Sequence, residues 1–272
     1  MRKPRRAVEV LSQVCRTWRR LCVETPDLWT TIMLWVPPFP DRNERPAQGG
    51  SVQFHTQMGA CGSGLEVDDL ARRHADAEAW MAKMRRCNIR TRDWIKRARG
   101  LPLDVVLEAT NPDPGSHPGA VYAFSFPIEQ TMKSTSAQWR SVRLELSNVR
   151  YTGRRCYIDT LLDVEAPSLK SLHLKLVPWA SSISHENLAL LSSKSLRHLD
   201  LDVEGAFDFK QAPVMWSALT ELRIVSRFPR IAFPQGILCT ETILYILSHS
   251  PNLVSCEFNR CDPRTPLYVD SS

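Results

Sequence analysis

Leu169-Lys-Ser-Leu172-His-Leu174 is the stretch whose reading decides the fold. Its spacing, one apolar residue followed by others three and five positions on, returns at Leu196-x-x-Leu199-x-Leu201, Leu219-x-x-Leu222-x-Ile224 and Leu253-x-x-Cys256-x-Phe258. Trp139-x-x-Val142-x-Leu144 fits it more loosely. Side chains in a strand alternate between faces. The second and third apolar residues of each unit therefore share one face, and the first caps the turn that enters the strand. The units start at 139, 169, 196, 219 and 253, which are 30, 27, 23 and 34 residues apart.

Repeats of about 20 to 29 residues with this pattern resemble leucine-rich repeats. The intervals here straddle and exceed that range, which implies an irregular solenoid built on one parallel sheet. The Asn or Cys usual after the strand is absent: Val177, Val203 and Ser226 stand near its place. Helices are expected between the strands at 158–164, 186–191 and 240–247, and a Ser-Pro-Asn turn should lead into Leu253. One repeat cannot bury its own apolar face, so neighbours must stack. A conventional α/β domain with helices on both sheet faces is the lesser alternative, because short β–α alternation supports both readings.

Stacked parallel strands would line up their non-core residues on one surface: Arg143, Glu145, Ser171, His173, Lys175, His198, Asp200, Asp202, Glu221, Arg223, Ser255 and Glu257. Mixed charge and two histidines suit a protein partner better than a phosphate backbone. His173, Lys175, His198, Asp200, Asp202, Glu221 and Arg223 form the candidate partner surface.

Ahead of the repeats, Val10, Leu11, Val14, Cys15, Trp18, Leu21 and Cys22 make one apolar stripe at helical spacing, with Arg16, Arg19 and Arg20 on the polar side. Thr25 is a good N-cap, Pro26 suits the first helical position and Asp27 complements the dipole. A second short helix is expected there, carrying Leu28, Trp29 and Ile32 inward. Two such helices need a neighbour to cover their apolar surface.

The strings Leu11-Ser-Gln-Val-Cys-Arg-Thr-Trp-Arg-Arg-Leu21 and Thr25-Pro-Asp-Leu-Trp29 resemble the second half of an F-box, as found in fungal F-box-like proteins with leucine-rich repeats. That resemblance implies docking on a Skp-type adaptor of a cullin–RING (SCF-type) ubiquitin ligase. It assigns adaptor contact to Leu11, Val14, Cys15, Trp18, Arg19, Leu28 and Trp29, with Trp18 and Trp29 mainly as internal packing and the 11–15 turn and Arg19 nearer the adaptor. The Leu-Pro loop and first helix that open the family motif have no counterpart before Ala7, so the F-box is expected to be truncated at its N-terminus. Trp94 through Leu107, with Leu101-Pro-Leu103 inside it, resembles the segment joining F-box and repeats in the same proteins. The implied role is substrate reception: the repeats hold an unidentified target protein while the ligase supplies the chemistry. A repeat interaction protein without the ligase connection, or a fragment of a longer product, is the alternative.

Between these parts the reading is looser. Residues 37–64, with Pro-Pro-Phe-Pro, Gly-Gly and Gly-Ser-Gly, read as a linker or insertion without order of its own. Residues 65–100 read as amphipathic helices. Val67, Leu70, His74, Ala77, Met81 and Met84 step by three and four, Asn88 is a plausible stop, and a second helix over 91–99 ends at Gly100. The cluster Lys83, Arg85, Arg86, Arg90, Arg92, Lys96, Arg97 and Arg99 raises a nucleic-acid reading, but no nucleic-acid motif accompanies it. A strand is expected over 103–108. The expected organisation is thus front helices over 1–36, linker over 37–64, helices over 65–100 and repeats over 101–272.

Charge follows this division. The first hundred residues hold 19 Lys and Arg against 11 Asp and Glu, while the rest hold 16 against 18. No apolar run approaches the roughly 18 to 20 residues of a membrane span. The basic start is not followed by presequence features. The eight cysteines form no CxxC and no zinc-finger spacing with histidine. They are expected to be reduced intracellular thiols, mostly buried, in a cytoplasmic or nuclear protein. GxGxxG, P-loop, HExxH and GxSxG are all absent, so no enzyme, cofactor or sequence-encoded metal site is expected.

Overall fold

The computed structural model describes residues 7–36, 63–110, 128, 130–147, 161–177, 188–204, 207–227 and 238–261. Two short helices, α1 (Ala7–Val14) and α2 (Arg16–Glu24), come first, then a 3₁₀ turn over Pro26–Trp29 and strand β1 (Thr31–Val36). A long helix α3 (Ser63–Ala98) leads to β2 (Leu103–Thr110), followed by β3 (Trp139–Ser147), β4 (Ser171–Val177), β5 (His198–Glu204) and β6 (Glu221–Arg227). Helix α4 (Thr240–His249) and β7 (Ser255–Cys261) follow.

The seven strands form one sheet in chain order, and all six neighbouring pairs are parallel. The order never reverses, as it does at the switch point of a doubly wound sheet. Crossovers between parallel strands are almost always right-handed. The described connecting residues pack on the face that carries the apolar rows, and among the described residues none covers the opposite face. The protein is an α/β chain organised by a single parallel sheet.

Register explains the repeated spacing. Ile32, Val105, Val142, Leu172, Leu199, Leu222 and Cys256 stand in one row across the sheet, and Leu34, Leu107, Leu144, Leu174, Leu201, Ile224 and Phe258 in the next. From β1 to β6 both rows are buried. The first apolar residue of each unit closes the same turn: the amides of Leu169, Leu196, Leu219 and Leu253 donate to the carbonyls of Ala166, Ser193, Trp216 and Ser250 at 3.1–3.2 Å. Ser193 Oγ ties adjacent turns by donating to the Ala166 carbonyl at 3.0 Å.

The connections supply the second wall of the core. Leu162, Leu188, Leu190, Leu191, Phe207, Phe209, Trp216 and Ile246 are buried in one cluster with the strand rows. Of the three expected connecting helices, α4 forms where predicted, while Ala189–Ser192 is a single 3₁₀ turn. Residues 158–160 lie outside the described residues.

Three expectations change at the front. Pro26–Trp29 is one 3₁₀ turn, not the start of a longer helix, and Thr31–Val36 is a strand with alternating burial. Leu28, Trp29 and Ile32 fit helical spacing, but Trp29-x-x-Ile32-x-Leu34 also matches the repeat spacing, and the strand choice lets Ile32 and Leu34 join the rows. The sheet therefore begins at Thr31, ahead of the 101–272 region. The stripe over 10–22 is broken at Cys15, whose backbone is extended and whose carbonyl accepts from the Arg19 amide at 3.0 Å.

Helix α3 runs without interruption over 36 residues. Asn88 does not stop it, since its Oδ1 accepts a 2.9 Å bond from Thr131 Oγ1 and the side chain serves packing rather than capping. The helix ends as expected at Gly100, with Arg99 at φ 52° and Gly100 at φ 79° and the Leu101 amide donating to the Ala98 carbonyl at 3.0 Å. Of the expected 37–64 linker only Ser63 and Gly64 are described, and both are helical. No helix among the described residues is long and apolar enough to cross a membrane.

Candidate functional site

On the sheet face opposite the apolar rows, alternation leaves polar residues. Ser141, Ser171, His198, Glu221 and Ser255 form one polar row, and Arg143, His173, Asp200, Arg223 and Glu257 the next. Together they line an open groove of about 450 Å³. His173, His198, Asp200, Glu221 and Arg223 of the sequence-derived surface are brought together there.

Lys175 and Asp202 stand one row further along the strands. Asp202 is a correction, because its side chain is 6% exposed and it does not present a free carboxylate. Ser141 was missed in the sequence. Its signal was its position immediately before Val142, the place Ser171 occupies before Leu172.

The charged row is wired across five strands. His173 Nδ1 lies 2.7 Å from Asp200 Oδ2, and Arg223 donates to the same oxygen at 3.4 Å and to Glu257 Oε2 at 3.1 Å. Glu145 pairs with Arg143 and stands 4.0 Å from His173 Nε2. Asn259 extends the chain by donating to Glu257. His198 Nε2 faces Glu221 Oε1 at 3.4 Å.

Burial pushes the Asp200 carboxyl up, but the His173 hydrogen bond and charge and the Arg223 guanidinium outweigh it and hold it below the ordinary Asp range. Asp200 Oδ1 and His173 Nε2 are buried atoms without a hydrogen-bond partner. A partner's donor at Asp200 or acceptor at His173 would complete the pair. Among the described residues no group of three or more His, Cys, Asp or Glu is placed to hold a metal.

The front helices present a second surface of opposite character. Val14 is 62% exposed and Trp18 46%, and Val10, Leu21, Val23 and Leu28 are exposed beside them. These make half of the twelve exposed large apolar side chains among the described residues. Cys15 and Arg19 are exposed too, with Arg19 Nε donating to the Ser12 carbonyl at 3.0 Å. The Leu11 side chain lies outside the described residues.

Trp18 differs from the expectation of internal packing: it is exposed, while Cys22 one turn on carries the buried face of α2. Trp29 meets that expectation. It is buried, donates Nε1 to the Cys22 carbonyl at 2.6 Å, packs edge-on against Trp94 at 4.6 Å and lies under Arg97. The cysteines differ as well: Cys22 is buried and Cys87 half-buried, whereas Cys15, Cys239 and Cys256 are exposed free thiols.

The basic cluster lies on α3. Its two tryptophans, Trp80 and Trp94, are buried and offer no platform for stacked bases. Comparison with protein families, curated proteins and solved structures finds no match for this chain.

Proposed function

We propose that this chain is an intracellular protein-interaction module. In this reading it is an irregular leucine-rich-repeat solenoid whose open sheet face receives a target protein. Its front helices dock on a Skp-type adaptor in the manner of the substrate receptor of a cullin–RING ligase. The observation that carries the reading is the exposed apolar group Val10, Val14, Trp18, Leu21, Val23 and Leu28, set against the buried anchor Trp29. Large apolar side chains left exposed together on neighbouring elements of a folded chain mark an interaction site. The motif positions Val14, Trp18 and Leu28 all fall within it.

The groove supports the other half of the reading. Its acids and bases are mixed and largely paired within the sheet, with Asp200 Oδ1 and His173 Nε2 left for a partner, which suits selection by complementary polar contacts rather than capture of a polyanion. Nothing in the chain's motifs calls for chemistry of its own; the reading gives it binding and positioning, with partners doing the transfer.

Co-purification with a Skp-type adaptor tests this directly. The parent chain should retain the adaptor at physiological salt, while Val14→Asp and Trp18→Asp should each reduce capture at least about tenfold, as loss of one buried anchor does. Both side chains are exposed, so folding should be unchanged by circular dichroism. A parent chain that captures no adaptor would remove the ligase role and leave a repeat interaction protein.

A further inference from the structure

We propose that α3 pairs antiparallel with α3 of a second copy of this chain, its acidic first half lying on the basic second half of its partner. Helix α3 spans 36 residues, about 54 Å at 1.5 Å per residue. Over 63–79 it carries five acids (Glu66, Asp68, Asp69, Asp76, Glu78) against Arg72 and Arg73. Over 80–98 it carries seven bases against the single acid Asp93, and Arg99 follows directly. Helix-dipole preference acts only within the first and last turns. It does not account for bases that begin at Lys83, four turns before the end.

Packing divides the helix at the same point. The buried side chains of α3 begin at Trp80, and continue with Met84, Thr91, Trp94 and Ala98. In the preceding stretch every described side chain, Ala71, Arg72, Ala75, Asp76, Glu78 and Ala79, is exposed. A half-helix of this length is marginal in water without a partner.

Lys83 lies over the Trp35 ring and Arg97 over Trp29. Arg85, Arg86, Arg90, Arg92, Lys96 and Arg99 are exposed and make no ion pair with another described residue. On the sheet, by contrast, Arg140, Arg143 and Arg223 each meet a carboxylate. Arg86 with Arg90 and Arg92 with Lys96 stand four apart, a like-charge spacing that destabilises an unpartnered helix.

A two-fold axis at Ala82 lays the acidic half of each copy along the basic half of the other. It sets Glu78 of one copy against Arg86 of the other, and Ala75 against Ile89, an apolar side chain 59% exposed within the basic half. Self-complementarity of this kind is what an isologous interface requires. It is independent of the adaptor reading, which concerns α1 and α2.

Light scattering on the full chain over a concentration series tests the pairing. The parent chain should form a dimer that weakens as salt is raised. Asp76→Arg with Glu78→Arg, and separately Arg85→Glu with Arg86→Glu, should each weaken it at least about tenfold by setting like charges opposite one another. Mixing the two variants should restore a dimer containing both, because reversed acids meet reversed bases at one end while the unaltered acids and bases meet at the other. Restoration needs both variants folded, so a folding defect cannot imitate it. A parent chain that stays monomeric overturns the proposal, even if it binds an acidic protein or a polyanion. A mixture that stays monomeric, or a dimer indifferent to both reversals, also overturns it.

Discussion

Asp200 is the residue on which the outer face of the sheet turns. Burial alone would raise its carboxyl, and the His173 and Arg223 side chains more than reverse that. A carboxyl held low in the folded state contributes stability that is fully present above its unfolded value, about 3.9, and lost as pH falls through the folded value. Asp200→Asn should therefore lower stability by about 1 kcal/mol at neutral pH. Urea unfolding at pH 7 and near pH 3 checks this: the gap between parent and variant should shrink at the lower pH. An equal gap at both would show that the carboxylate's charge is not what matters. The pairing of His173 with Asp200 was visible as two residues in a common row, because both follow the second leucine of their unit. That Asp202 is buried was not visible. Burial at an alternating position depends on what lies over it, and spacing carries no information about that.

At the scale of elements, the turns were easier to read than the helices. Leucine spacing set β3 to β7 because a strand keeps its alternation whatever precedes it. It did not find β1, since Trp29, Ile32 and Leu34 fit a helix for one turn before they fit a strand. Nor did it show the break at Cys15, where the amphipathic stripe continues while the backbone does not. The C-terminus of α3 is the element end most open to test. Gly100 sits at φ 79° with open space where a Cβ would go, so substitution there meets conformational cost alone. Gly100→Ala should destabilise by about 1 kcal/mol, the left-handed cost for a residue with a Cβ. Thermal unfolding measures it, and an unchanged midpoint would mean that the turn relaxes to another backbone conformation.

The whole molecule is a stack in which each strand leans on the next. Residues 37–62 and 111–127 separate strands that nonetheless pair in register, so sequence distance has little bearing on adjacency. The buried rows explain why the units tolerate unequal spacing: the connections vary in length while the turn-closing residue and the two row residues stay fixed. Three surfaces follow from this one frame. They are an internally paired groove on the open face, exposed apolar side chains on the front helices, and a charge-divided long helix beside β1.

Distances between spin labels at Thr31, Ser141 and Ser255 test the frame most directly. Strands in a sheet lie about 4.8 Å apart, so two steps from β1 to β3 and four from β3 to β7 should place Ser141 and Ser255 about 19 Å apart and Thr31 and Ser255 about 29 Å apart. The longer separation for the earlier residue is the account's prediction. A sheet that doubles back would put β1 in its interior and make the Thr31–Ser255 distance the shorter of the two, and that result would contradict the account.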